Sequence, residues 1–136
     1  FAEFEDMAHR KGAAGESLTA QNLCQMYRQL NVDYFGPEMN VDAQIDYEWE
    51  RIPHFYTPFY VYQYATGFSA AVAISSRIMK GEEGALEGYK KFLSGGCSMT
   101  PIELLRLCGV DMSTTRPVDE ALSFFGELLD EFEGQR

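Results

Sequence analysis

A chain of 136 residues has room for one domain with a real but modest core, and a content of 46% hydrophobic and 14% aromatic residues excludes a disordered tail. Its 21 acidic residues against 11 basic ones leave a formal charge of -10, which repels nucleic acid and anionic lipid and argues against both as partners. No apolar run approaches the ~20 residues needed to cross a bilayer, so no membrane is expected.

The acidic start, Phe1-Ala-Glu-Phe-Glu-Asp, is not a signal peptide and begins as if inside a helix, so a piece of a longer protein is expected. Phe1 to about Lys11 sets Phe4, Met7 and Ala8 on one face, and Gly12 to Gly15 ends that helix. Thr19 caps a second helix, in which Leu23, Met26, Tyr27 and Leu30 recur at helical spacing. Asp33 to Asn40 is a turn-rich connection broken by Gly36-Pro37. A short helix follows over roughly Asp42 to Arg51, where Tyr47, Glu48, Trp49 and Arg51 cluster and Arg51 can brace the bend that Pro53 imposes. After Pro58 a long helix is predicted to about Lys80, narrow in its second half (Ser69, Ala70, Ala71, Ala73, Ser75 and Ser76) and stopped by Gly81.

Glu82 to Leu93 reads as another helix, closed by Gly95-Gly96. Thr100 to Glu103, "TPIE", is a capping box with proline at the first helical position, opening a helix that carries Leu104, Leu105 and Leu107. Pro117, with Asp119 and Glu120 in the first turn, opens an amphipathic helix striped by Val118, Ala121, Leu122, Phe125, Leu128, Leu129 and Phe132. No alternating strand pattern is present, so the fold class is all-α: about six to seven helices in a single helical unit over residues 1–136.

Chemistry concentrates in "HFYTPFYVYQYATGFSAA", His54 to Ala71. On a helix beginning at Pro58, Tyr60 and Tyr64 share a face; Gly67 continues it as an indentation, and Tyr56 extends the line in the other direction. His54 stands at a proline-bracketed bend just before them. Imidazole and phenol groups converging there are hydrogen-bond donors suited to an oxyanion on a carbonyl under attack, each worth roughly 3–4 kcal/mol when well placed. The competing reading is tyrosine rings packed at the edge of a core with wetted hydroxyls. Tyr62, two residues on from Tyr60, falls on the far side of such a helix and reads as structural.

With only His9 and His54, and no HExxH, a histidine-rich metal site is excluded within this chain, and His9 carries no assigned role. GxSxG, P-loop and GxGxxG motifs are absent. Cys97 in "SGGCSM" would need a base that is not visible locally. Three widely spaced cysteines, Cys24, Cys97 and Cys108, fit free thiols in a reducing cytoplasm.

"DYEWERIPHFYTPFYVYQYATGFSAA" resembles the C-terminal part of bacterial oligoendopeptidase F, a zinc metallopeptidase related to thimet oligopeptidase. "FAEFE", "ESLTAQNLCQMY", "YFGPEM", "YKKFLSGGCSMTPIELLRLCGVDMS" and "ALSFFGELLDEFE" resemble that family in the same order, so the resemblance covers essentially the whole chain. It implies a segment of a larger, helical, deeply clefted catalytic domain acting on short oligopeptides. The Zn2+ of such an enzyme is held by an HExxH segment and a glutamate outside this chain. By position, His54, then Tyr60 and Tyr64, take the family's role of binding substrate and donating hydrogen bonds to the tetrahedral intermediate, with Tyr56 and Gly67 as weaker substrate-binding candidates. The chain alone is expected to hold no metal or cofactor and to be inactive, and exposed surface is expected to favour self-association. The alternative is a non-catalytic helical module of the same ancestry that binds a peptide or protein without hydrolysis.

Overall fold

The computed structural model describes residues 1–135. Among them are six α-helices and two 3-10 helices in the order α1 (Ala2–Ala13), α2 (Ala20–Phe35), a first 3-10 helix (Ala43–Arg51), a second (Pro53–Tyr56), α3 (Tyr62–Met79), α4 (Ala85–Gly95), α5 (Pro101–Leu107) and α6 (Arg116–Gly134), and no strand. The fold class is all-α, as the helical periodicity predicts. Contacts group the chain into two compact units, Phe1–Gln63 and a second from Tyr64 onward, each with its own core.

In the first unit the buried stripes of α1 and α2 meet. Phe4, Met26 and Tyr27 form the core, with Met7, Ala8, Leu23, Leu30, Ile45, Trp49 and Phe55 packed around them. The hydroxyl of Thr19 accepts from the Asn22 amide at 3.2 Å, the N-cap its position predicts. The short helix expected over roughly Asp42 to Arg51 takes the tighter 3-10 form, Ala43–Arg51. Ile52 is extended (φ -95°, ψ 99°), as the residue before proline should be, and the chain then turns again through Pro53–Tyr56.

The second unit is built on the small residues of α3. Ala70, Ala73 and Ile74 are buried with Cys108 and Val110, and Ile78, Tyr89, Phe92, Leu105 and Met112 close around them. Gly84 lies in the left-handed region (φ 77°), so α4 starts at Ala85 rather than at Glu82. The α5 capping box is complete: Thr100 Oγ1 accepts from the Glu103 amide, and Glu103 Oε2 accepts from the Thr100 amide at 2.9 Å. Arg77 crosses from α3, donating Nη1 to the Cys108 carbonyl at 2.7 Å and Nε to Glu82 Oε2 at 2.8 Å. In α6 the amphipathic stripe does not enter this core. Pro117 is its buried residue, and Leu122, Phe125, Leu128 and Leu129 remain exposed.

Two glycines test this packing in opposite directions. A Cβ on Gly88 would stand 2.4 Å from the Leu107 carbonyl oxygen, where α4 meets α5, whereas one on Gly126 meets nothing within 4 Å. Gly88→Ala should lower stability by about 1–3 kcal/mol, and Gly126→Ala should raise it by about 0.5–1 kcal/mol. Urea midpoints at constant slope check both, and equal effects would contradict the packing described.

Candidate functional site

Five residues singled out by sequence, His54, Tyr56, Tyr60, Tyr64 and Gly67, can now be placed. His54 and Tyr56 lie on the second 3-10 helix. That turn is held from α2 through the helix before it. Tyr27 donates its hydroxyl to Glu48 Oε2 at 2.7 Å, Arg51 pairs with the other oxygen of Glu48, and Arg28 Nη1 reaches Asp46 Oδ1 at 3.0 Å. The expected bracing of the bend by Arg51 is therefore present, with Glu48 as the junction. Tyr27 is 3% exposed, and burial, then its bond to Glu48, pushes its phenol well above the ordinary tyrosine range. From this brace the chain runs through Ile52 and Pro53 to His54, while Phe55 turns inward onto Phe4, ring centroids 5.2 Å apart.

The helix after Pro58 begins later than the sequence predicts. Phe59 takes φ 56°, in the left-handed region, which breaks any helical path from Pro58, and α3 starts at Tyr62. Tyr60 thus precedes the helix, and the shared face that would align it with Tyr64 is not formed, because that face requires both residues on one helix. The turn brings Tyr60 to His54 instead. The two rings stack with centroids 5.3 Å apart and planes at 27°. His54 is half-buried and Tyr60 38% exposed, so the pair sits at an edge of the first unit rather than sealed in its core. Tyr56 is largely exposed, and its hydroxyl donates to the Glu50 carbonyl at 3.5 Å. It also borders an open apolar hollow of about 440 Å³ lined by Phe4, Ala8, Leu23, Trp49 and Phe55. Tyr64 and Gly67 belong to the second unit. Both are on an exposed side of α3, and the space where a Cβ of Gly67 would project is open. Tyr62, read from sequence as structural, opens α3 and is half exposed.

Phe59 and Tyr27 were not singled out as shaping this site. A helix-former's sequence gives no sign of a positive φ at phenylalanine, and the Tyr27–Glu48 bond joins residues 21 apart. Zinc is the group the resemblance implies. The described residues contain no cluster of three His, Cys, Asp or Glu side chains able to hold a metal, and the imidazoles of His9 and His54 are stacked on Phe59 and Tyr60. No helix among the described residues is long and apolar enough to cross a membrane.

A model of peptidase family M3 matches residues 1–124. The chain is 50% identical over 133 residues to oligopeptidase PepF of Bacillus subtilis (strain 168), covering 98% of this chain and 20% of that protein. It is 41% identical to the plasmid oligoendopeptidase F of Lactococcus lactis subsp. cremoris, covering 98% of this chain and 22% of that one. The crystal structure of oligoendopeptidase-F from Enterococcus faecium superposes with a TM-score of 0.92 at 43% identity, over 98% of this chain and 26% of that chain. The chain thus spans about a fifth of the length of the curated relatives it matches.

Tyr27 supplies a direct check on the brace. Because its raised phenol favours the protonated form in the fold, its contribution to stability is complete below about pH 10 and is lost as pH rises beyond that. In an alkaline absorbance titration of the 8 tyrosines, Tyr27→Phe should remove a late-ionising component. Loss of amplitude only from earlier ionisation would place Tyr27 in water.

Proposed function

This chain belongs to peptidase family M3, and from that premise we propose that residues 1–136 act as one segment, the C-terminal one, of the catalytic domain of a zinc endopeptidase that hydrolyses short oligopeptides. The observation that carries the reading is the stack of His54 on Tyr60 at the edge of the first unit. An imidazole and a phenol held side by side offer an N–H and an O–H to a single small target. The carbonyl oxygen of a peptide bond becomes such a target when attack turns it into an oxyanion. Tyr56, on the same 3-10 turn as His54, borders the bound peptide. The water-activating metal and its HExxH segment belong to the remainder of the parent protein. Support for that division comes from the chain's share of its relatives' length. The parent works in the cytoplasm.

Two experiments follow. Alone, the chain should show no turnover of a quenched oligopeptide with added zinc; turnover that scales with chain concentration sinks the division of labour. In the full-length parent, His54→Ala or Tyr60→Phe should lower kcat by on the order of 10²–10³ with zinc content unchanged. Zinc lost in step with activity would move these residues from the substrate to the metal.

The exposed apolar residues of α6 support a second property of the isolated chain, association with another copy of itself. Sedimentation should show a species heavier than the monomer that Leu122→Glu with Leu129→Glu returns to monomer. A monomer at all concentrations rules this out.

A further inference from the structure

Helix α1 carries three acids in its first half, and only one of them points inward. Glu3 is exposed and accepts from the Tyr34 hydroxyl at 2.7 Å, and Asp6 pairs with Arg10 at 2.7 Å. Glu5 is 4% exposed. Burying a carboxyl group is unfavourable unless its oxygens are hydrogen-bonded. The bond that Glu5 makes is not to its own neighbourhood: Oε2 accepts from the backbone N–H of Val61, 56 residues away, at 3.4 Å. Val61 immediately precedes α3, and the amides at a helix N-terminus have no partner within the helix. Glu5 thus holds the amide just ahead of α3 from a different helix.

One turn further along α1, four residues on and on the same face, is His9. Its ring stacks on Phe59 with centroids 4.4 Å apart and planes at 26°. Phe59 is the one non-glycine residue with a positive φ among the described residues, a conformation that costs energy and persists only where surroundings hold it. So Glu5 holds residue 61 and His9 holds residue 59. Between them is Tyr60, whose ring lies on His54.

We propose that α1 is a positioning element for the donor pair: Glu5 and His9 grip the residues on either side of Tyr60 and thereby set its ring against His54. Neither residue touches the substrate in this assignment. The name "donor pair" rests on the function proposed above, but the grip itself does not, and it is tested without any hydrolysis.

The test uses this chain in solution by NMR, with far-UV circular dichroism to confirm folding. The readouts are the Cε1–H shift of His54, displaced by the ring of Tyr60, and the hydrogen exchange of the Val61 amide. Tyr60→Leu supplies the undisplaced shift. Glu5→Leu and His9→Ala should each move the His54 signal at least halfway to that reference and speed Val61 exchange about tenfold or more. Glu5→Gln keeps an acceptor oxygen and His9→Phe keeps a flat ring, so both should stay near the parent values. Truncations that leave both readouts unchanged overturn the proposal, as do conservative variants that shift them as far as the truncations. If the truncations unfold, the intact chain decides: a missing His9–Phe59 ring contact or an unprotected Val61 amide overturns the grip, and both present, with the conservative variants unchanged, sustain it. If these signals behave as expected while His54→Ala in the parent leaves turnover intact, the catalytic reading fails and the grip stands.

Discussion

The ring of Phe4 is the contact on which the first unit depends. Tyr27 meets it edge-on at 5.2 Å, Phe55 at 5.2 Å, and Trp49 tilts against it at 6.2 Å. Those four rings come from α1, α2 and the two 3-10 helices, so one buried side chain ties together every helix of the unit up to Tyr56. Aromatic pairs in these orientations add to the burial they share. The 3-10 helices have no apolar stripe deep enough to hold themselves in place, and none of their residues is fully buried. They are fixed instead by Phe55 and Trp49 on one side and by the Tyr27–Glu48–Arg51 junction on the other. His54 inherits its position from both.

The second unit solves a different problem. Its core has few large side chains and relies on close approach: Ala70 and Ala73 on α3, and Gly88 against the end of α5. The guanidinium of Arg77 lies where a side chain on residue 109 would project, and Gly109 at φ 71° leaves room for it to reach the Cys108 carbonyl. This bond satisfies a carbonyl just past the C-terminus of α5, where helices leave such acceptors unpaired. Burial pushes the Cys108 thiol up, and Arg77 nearby opposes that shift.

What could be read from sequence was what is decided locally. The box at Thr100 to Glu103 depends on two side chains within one turn, and the Thr19 cap on one side chain three residues from its partner. The small residues of α3 signal close packing whatever packs there, and Ala70 and Ala73 are buried accordingly. The start of α3 was not legible, because it is set by the φ of Phe59, and that conformation is supported by a ring on another helix. Glu5 was not legible for a related reason: a glutamate in an acidic helix reads as solvated, and only the arrival of residue 61 makes it an inward residue. His54 and Tyr60 were legible as neighbours along the chain, but the reason for their proximity was not. The sequence sets His54 at a bend before a helix that carries Tyr60, whereas Tyr60 itself lies outside α3 and the stack forms across the turn ahead of it.

Position 59 is subject to two demands that no one natural amino acid meets fully. Its backbone favours glycine or asparagine, while its contact with the imidazole of His9 favours an aromatic ring. Phenylalanine settles for the ring and leaves the backbone under tension. Glycine at 59 would relax the backbone but give up the stack on His9, so the residue trades local ease for a tie to another helix.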